Sequence, residues 1–169
     1  MIPFEIPNNW VWVRHNQLFN ISGGTQPPKS EFVFEHKEGY IQLYQIRDYG
    51  ERPQPVYVPY KNTLKISQKG DILLARYGAS LGKVFIAKNG AYNVAIARVI
   101  PLYDNELINR QFLYWYYKSS IYQKHVRDHS RSAQAGFNKE DLDNLFFPLP
   151  PMAEQERISA KILELYGNL

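Results

Sequence analysis

The first hundred residues carry short apolar stretches that alternate with polar positions and are separated by turn-forming residues. An alternation with a period of two residues is typical of a half-buried strand, and Gly, Pro, Asn and Asp favour the turns between strands. The predicted strands are residues 10–13, 40–46, 56–60, 71–76, 83–87 and 92–100. Because Asn89 and Gly90 form a strong hairpin dipeptide, the last three of these strands are predicted to form a meander.

Beyond Pro101 the apolar residues recur at helical spacing. Positions 107, 108, 112, 115 and 116 are separated by one, four, three and one residues, which favours a helix over a strand. We expect Phe112 and Trp115 to lie in the core, whereas the neighbouring tyrosines carry hydroxyls that tolerate a surface. Asn138 is predicted to cap a further short helix that ends near Leu145.

The C-terminal part combines a proline-rich segment with a helical pattern. Residues 146–151 read FFPLPP, and three prolines restrict this segment to an extended connector or an edge strand. Residues 152–169 are predicted to form a helix in which Ile158, Ile162, Leu165 and Leu169 follow the spacing of a coiled-coil seam. Two alternatives stay open, since this helix could pack on its own domain or contact another chain.

Together these patterns predict an α+β fold. We expect a single mixed α/β domain over residues 1–147, with a β-meander and flanking helices. Residues 148–169 are predicted to form a proline-rich connector followed by the start of a coiled-coil-type helix.

Composition and charge narrow the possible functions. The chain has 169 residues, a net charge of +4 and no Cys, so thiolate nucleophiles and zinc-thiolate sites are excluded. The basic excess is local, because residues 110–139 contain six Lys or Arg against one acid. The sequence shows neither a secretory signal nor a long apolar stretch, so we expect a cytoplasmic protein without a membrane partner.

Signatures of catalysis are missing from the sequence. Gly78 and Gly82 have three residues between them, and Lys83 precedes Val84, which does not match a phosphate-binding loop. The sequence has no Asn or Asp before a Pro-Pro-aromatic run, the motif that binds the target amine in DNA amino-methyltransferases. No metal-ligating set is evident either. A binding module is therefore predicted, with nucleic acid as the favoured ligand and a protein or glycan bound by a Tyr-rich surface as the alternative.

Two segments carry a specific resemblance. Residues 70–86 read GDILLARYGASLGKVFI, and residues 142–158 read LDNLFFPLPPMAEQERI. Both segments resemble the target recognition domain of type I restriction-modification DNA specificity subunits, and the similarity extends over nearly the whole chain. The Pro-Leu-Pro-Pro-x-x-Glu-Gln-x-x-Ile run is its most specific part.

The resemblance implies a non-catalytic subunit that binds double-stranded DNA and reads one half of a bipartite target. In that family a methyltransferase subunit modifies adenine, and a restriction subunit associated through it translocates and cuts. The resemblance thus implies no cofactor in this chain, with S-adenosylmethionine and ATP bound only by the partner subunits. With one recognition domain and only the start of one spacer helix, the chain resembles either a half-subunit or a truncated form of that family. A half-subunit would pair two copies as a homodimer through the C-terminal helix.

Candidate site residues follow from their positions in the predicted loops, where Arg, Gln, Asn and Ser read base edges and Lys and Arg contact phosphates. The candidate DNA-binding residues are Gly23, Gly24, Thr25, Gln26, Lys29, Arg76, Tyr77, Ser80, Lys83, Arg127, His129, Ser130, Arg131 and Gln134. The candidate partner-interface residues are Ile158, Ile162, Leu165 and Leu169.

Overall fold

A computed structural model describes residues 2–104, 106–129 and 136–167. The chain divides into two compact units, which are described separately below. Unit 1 consists of residues 1–20 together with residues 101–169, and unit 2 is the continuous segment 21–100. This division does not test the boundary predicted at residues 147/148, which stays a prediction.

The described residues contain short strands and helices in mixed order, which confirms the predicted α+β class. The strands are Val11–Arg14 (β1), Phe19–Gly23 (β2), Tyr40–Tyr44 (β3), Tyr57–Pro59 (β4), Ile66–Ser67 (β5), Ile72–Ala75 (β6), Val84–Ile86 (β7), Gly90–Tyr92 (β8), Ile96–Pro101 (β9) and Phe146–Leu149 (β10). The helices are His15–Leu18 (α1), Arg110–Lys118 (α2), Ser120–His129 (α3), Lys139–Leu142 (α4) and Met152–Tyr166 (α5). Short 3-10 turns occupy Lys29–Glu31, Ile46–Tyr49 and Gly78–Ser80.

Unit 2, all of whose residues the structure describes, is built on two four-stranded sheets. One sheet has the order β2-β9-β6-β7, and the other has the order β4-β3-β8-β5. All four residues of β6 are buried, as expected for a strand that lies between two others. Each sheet carries its own apolar cluster, one around Leu43 and Val58 and the other around Leu73 and Ile96.

The predicted meander is interrupted after its first hairpin. Strands β6 and β7 form the expected antiparallel pair. The hairpin predicted at Asn89 and Gly90 is wrong, because Gly90 begins β8, which pairs with β3 and β5 in the other sheet. The predicted strand 92–100 is correspondingly split, and its second part, β9, pairs with β6. Burial of Ala91 and Tyr92 in the second sheet outweighs the local turn preference of Asn-Gly.

Unit 1 contains the strand formed by the proline-rich segment. Strand β10 pairs antiparallel with β1, with Val11 opposite Leu149 and Arg14 opposite Phe146. Pro148 lies within β10, and a proline there cannot donate a backbone hydrogen bond to the ladder. The segment is therefore an edge strand, one of the two conformations that its prolines allowed.

Aromatic side chains form the core of unit 1. Phe112 is buried as predicted, whereas Trp115 is only partly buried. Tyr116 and Tyr117, which neighbour these residues, are also buried, so the expectation that they tolerate a surface is wrong. The ring of Tyr117 meets that of the fully buried Tyr122 edge to face at 5.0 Å between centroids, an arrangement that aromatic pairs favour.

The helices of unit 1 begin and end at recognisable residues. Helix α2 follows Asn109, whose side chain accepts hydrogen bonds from the backbone N–H groups of Gln111 and Phe112. Asn138 precedes α4 as predicted, and its N–H donates to Asp141 Oδ2 at 2.7 Å, as in a capping box. Helix α4 ends at Leu142, three residues earlier than expected.

Helix α5 packs on unit 1 through polar residues. Its buried residues are Gln155 and Ser159, while Ile158 and Ile162 of the predicted seam are half-buried. Gln155 Oε1 accepts from Asn109 N at 2.8 Å, and its Nε2 donates to Leu107 O and Pro150 O. The glutamine of the Pro-Pro-x-x-Glu-Gln run therefore ties the start of α5 to the segment before α2.

Among the helices in the described ranges, none combines the length and the apolar character required to cross a membrane.

Candidate nucleic-acid interface

Three loops of unit 2 meet at one surface, which we call the three-loop surface. It consists of residues 23–26 after β2, residues 76–80 after β6 and residues 93–95 between β8 and β9. The backbone N–H of Arg76 donates to Ala95 O at 2.9 Å, which joins two of the loops directly. Side chains carried by loops that a sheet scaffold fixes in place are well suited to recognition.

Two successive glycines allow the close approach of these loops. A Cβ atom on Gly23 would lie 2.4 Å from Arg76 Nη1, so the guanidinium group occupies the space above this glycine. A Cβ atom on Gly24 would lie 2.1 Å from Asn93 O and 2.4 Å from Tyr92 O. Gly24 is therefore needed for backbone packing, whereas Gly23 leaves room for a flexible side chain.

Thr25 and Gln26 differ in their availability for a ligand. Thr25 N–H donates to Tyr92 O at 3.0 Å, and Thr25 Oγ1 accepts from Lys65 N at 3.1 Å. Gln26 is exposed and makes only a long contact, 3.4 Å, from Nε2 to Pro27 O. Thr25 thus belongs to the scaffold of the loop, while the Gln26 amide is presented to the surroundings.

Arg76 and Tyr77 form the most prominent charged feature of the three-loop surface. The guanidinium carbon of Arg76 lies 5.0 Å from the centroid of the Tyr77 ring, and Tyr77 is 40% exposed. Such a cation–π contact orients the guanidinium group at little cost in side-chain entropy. Gly78 has φ +61°, so the chain can turn sharply behind this pair.

Ser80 and Lys83 follow in the turn that leads to β7. Lys83 N–H donates to Ser80 O at 2.9 Å, and its own carbonyl accepts from Ala75 N at 3.0 Å. The side chain of Lys83 is exposed, whereas Ser80 is partly buried. Lys29, in the 3-10 turn after the first loop, is also exposed. Both lysines are therefore accessible as positive charges on unit 2.

Arg127 and His129 lie on α3 in unit 1 and are described by themselves. Both are exposed at the C-terminal end of the helix, where a positive charge is favoured by the helix dipole. Arg127 Nε donates to Gln123 O, and His129 Nδ1 is hydrogen-bonded to His125 O. An open groove of about 240 Å³ runs beside them and is lined by Ser120, Lys124, Arg127 and Asp128.

Some of the predicted site residues lie outside the described residues, and for others the predicted role at a partner interface stays a prediction. Ser130, Arg131, Gln134 and Leu169 lie outside the described residues. On α5, Leu165 is 64% exposed, and its role at a partner interface stays a prediction, as does that of Ile158 and Ile162. In the ranges that the structure covers, no three His, Asp or Glu side chains are grouped as a metal site would require.

Sequence reasoning missed Asn93, which lies in the middle of the three-loop surface. The largely apolar run 92–100 predicts a continuous strand that includes this residue. The structure instead places it in the connection between β8 and β9, where it is partly exposed. A useful signal in the sequence was the Tyr-Asn pair that follows Gly90, since Asn favours loops over strand interiors.

Comparison with known proteins agrees with this architecture. Residues 7–169 match a family described as the type I restriction modification DNA specificity domain. The putative type I restriction enzyme MjaX specificity subunit of Methanocaldococcus jannaschii is 30% identical over 162 residues, which cover 94% of this chain and 37% of the relative. The EcoKI specificity subunit of Escherichia coli is 26% identical over 98% of this chain and 38% of its own length.

A solved structure shows the same fold. The crystal structure of the HsdS subunit from Thermoanaerobacter tengcongensis superposes with a TM-score of 0.75 and 26% identity, over 96% of this chain and 39% of that chain. This chain therefore spans less than half of the length of the relatives that it matches. The family match extends over both units and includes the three-loop surface. The chain accordingly belongs to the type I restriction modification DNA specificity domain family, as its sequence predicted.

Proposed function

We propose that this chain binds double-stranded DNA through the three-loop surface and reads one half of a bipartite target. In this proposal it directs adenine methylation and restriction that partner subunits carry out. A methyltransferase subunit would dock on the chain and bring the restriction subunit with it. S-adenosylmethionine and ATP would be bound by those partners.

The observation that carries the proposal is the placement of Arg76. Its backbone is fixed by the hydrogen bond to Ala95, and its guanidinium group is confined between the space above Gly23 and the ring of Tyr77. Guanidinium presents paired donors in a plane, which match the O6 and N7 acceptors of guanine in the major groove. An oriented arginine on a loop surface is well suited to reading a base.

Exposed cations elsewhere fit a contact with the phosphate backbone. Lys29 and Lys83 on unit 2 and Arg127 on unit 1 are exposed, so each presents positive charge at the surface of its unit. Contacts of this kind set affinity and register on DNA but carry no sequence information. We propose the same role for His129, Arg131 and Gln134, because they follow Arg127 closely in the sequence.

The alternative of a Tyr-rich protein- or glycan-binding surface receives little support. Of the thirteen tyrosines, all of which lie in the described ranges, only Tyr60, Tyr77 and Tyr166 are classed as exposed. Tyr44, Tyr92 and three tyrosines of unit 1 are buried. Most tyrosine rings are therefore buried or partly buried within the two units and are not displayed together on one surface.

We propose that two copies of this chain pair through α5. Helix α5 presents Leu163, Leu165 and Tyr166 as exposed apolar side chains, with Leu165 64% and Tyr166 66% exposed. Exposed apolar residues that cluster on one helix are typical of an interaction surface. Two copies related by a twofold axis would read inverted half-sites.

A selection from random duplex DNA tests the proposed function. The purified chain is used near physiological salt, alone and with a cognate methyltransferase subunit. We expect one enriched block of a few base pairs for a monomer, or two inverted blocks at fixed spacing for a dimer. The Arg76→Ala variant should lose preference at one position by about tenfold or more, with an unchanged thermal transition. Absence of any enriched sequence under both conditions would contradict the proposal.

A further inference from the structure

Asn93 is held on the three-loop surface through both its backbone and its side chain. Its N–H donates to Tyr44 O at 3.1 Å, and its carbonyl accepts from Ile96 N at 3.0 Å. Its side-chain Oδ1 accepts from Ala95 N at 3.2 Å. These bonds fix both the backbone and the amide plane, so the side chain is preorganised before any ligand arrives.

The Nδ2 group of the same amide remains available. Among the described residues it has no hydrogen-bond acceptor, and it is not one of the buried unpaired atoms of the structure. Because the residue as a whole is partly exposed, the two Nδ2 hydrogens face solvent. The Oδ1 atom has a second lone pair, so it can accept one more hydrogen bond beside that from Ala95.

Asn93 is also linked to Arg76 through the backbone of Ala95. Ala95 donates its N–H to Asn93 Oδ1 and accepts at its carbonyl from Arg76 N, so one residue links the two functional groups. On the other side, the absent side chain of Gly24 lets its loop pass within contact of Asn93 O. The arginine and the amide are therefore held on one continuous surface by backbone contacts.

We infer that Asn93 is a specificity-determining residue that reads an adenine of the target beside the base read by Arg76. The inference rests on the proposed function. Adenine offers N7 as an acceptor and its N6 amino group as a donor in the major groove, and an Asn side chain matches this pair with Nδ2 and Oδ1. No other single base offers both an acceptor and a donor on its own major-groove edge.

The Asn93→Asp variant separates this role from a structural one. Aspartate keeps an oxygen that accepts from Ala95 N, so the fold of the loop is preserved, but it has no group that donates to N7. Acceptor-only side chains favour the amino group of cytosine. In a selection from random duplex DNA with a cognate methyltransferase subunit, we expect adenine preference at one position to fall about tenfold or more, with a gain of cytosine.

The added negative charge needs its own control. Val94 is 37% exposed and adjacent in the chain, so Val94→Asp introduces the same charge without removing the amide. We expect this variant to bind all sequences more weakly and to keep the wild-type motif. Asn93→Ser provides a second variant if Asn93→Asp does not fold, because its hydroxyl accepts from Ala95 N but cannot pair with both positions of adenine.

The outcomes distinguish this inference from the proposed function. A wild-type motif with an adenine that Asn93→Asp or Asn93→Ser loses and Val94→Asp keeps would support both. A wild-type motif that is unchanged in the folded Asn93 variants, or that contains no adenine, would overturn the role of Asn93 and leave the proposed function standing. No wild-type motif under any condition would overturn both.

Discussion

At the scale of single residues, the structure assigns His15 a role that depends on its being uncharged. It is 1% exposed, and its Nε2 shares a hydrogen bond of 2.8 Å with the hydroxyl of Tyr117. Burial lowers the pKa of His15 from 6.5 to about 3, and the nearby His125 adds to the shift. The folded state therefore keeps this imidazole neutral at pH values where the unfolded chain takes up a proton.

This pKa shift predicts a loss of stability in acid. Above pH 6.5 neither state binds the proton, so His15 makes no pH-dependent contribution there. Between pH 6.5 and about 3 only the unfolded chain binds it, and the free energy of unfolding should be lower at pH 5 than at pH 7.5 by about 2 kcal/mol from this group. Urea titrations at both pH values measure the difference. His15→Gln does not titrate and should show a smaller difference; an identical difference in both proteins would refute the assignment.

Tyr117 and Tyr122 both carry buried hydroxyls, but only one of the two is hydrogen-bonded. The hydroxyl of Tyr117 is bonded to His15, whereas that of Tyr122 is buried without a hydrogen-bond partner among the described residues. Tyr117→Phe should therefore reduce the free energy of unfolding by about 1–3 kcal/mol, because it leaves the imidazole unpaired. Tyr122→Phe should be neutral or stabilising, since it removes an unsatisfied group. Equal losses in chemical denaturation would show that the hydroxyl contacts do not decide stability.

At the scale of elements, the loop after β2 depends on two glycines for different reasons. Gly24→Ala would place a methyl group against the backbone oxygens of Asn93 and Tyr92, which cannot move freely, so we expect a loss of stability of about 1–3 kcal/mol. Gly23→Ala would meet only the end of the Arg76 side chain and should leave stability nearly unchanged.

The same pair of variants separates stability from DNA recognition. Gly23→Ala displaces the guanidinium group of Arg76. In a DNA selection it should therefore weaken the base preference at the same position of the motif that Arg76→Ala affects. Thermal unfolding and the selection are measured on the same preparations. A Gly23→Ala protein that retains full sequence preference would indicate that the guanidinium position above this glycine is not required.

The buried side chain of Gln155 anchors the start of helix α5. Its amide uses three hydrogen bonds to tie α5 to Leu107, Asn109 and Pro150, and the side chain is fully buried. Gln155→Ala leaves three backbone groups without these partners, so we expect the free energy of unfolding to fall by about 2–4 kcal/mol. Glu156→Ala, at an exposed neighbouring position, is the control and should change it by less than about 0.5 kcal/mol. Similar losses in both variants would contradict a specific role for the buried amide.

At the scale of the whole molecule, exposed positive charges on both units predict a strong effect of salt on DNA binding. If roughly five phosphates are neutralised, the logarithm of affinity should fall with the logarithm of salt concentration with a slope of about −4. Titrations from low to physiological salt measure this slope. Lys83→Ala should reduce its magnitude by about one without changing the preferred sequence. A slope near zero would instead favour the protein- or glycan-binding alternative.

The sequence was informative about the elements and less so about how they pair. The short apolar run around Leu73 correctly predicted strand β6, and the prolines near Pro148 correctly limited that segment to an edge strand or connector. The turn preference of Asn89 and Gly90 was overridden because pairing with β3 buries the following residues. Long-range pairing of this kind leaves no local pattern in the sequence.

Prediction of the candidate site was similarly limited by contacts between distant segments. Glycines and basic residues in predicted loops pointed to Gly23 and Arg76, but nothing in the sequence showed that one lies against the other. Asn93 was missed because its neighbours are apolar. His15 was also missed as a buried residue, since its partner Tyr117 lies 102 positions away.

The pairing of β1 with β10 has a consequence for the order in which the chain folds during synthesis. Val11 is synthesised long before Leu149, its partner in the ladder, whereas unit 2 is the continuous segment 21–100 between them. At about 5–20 residues per second, the nascent chain spends several seconds with unit 2 complete and β1 unpaired. Unit 2 is thus expected to fold first. Strand β1 remains unpaired until β10 has been synthesised, and during that interval chaperones can bind it.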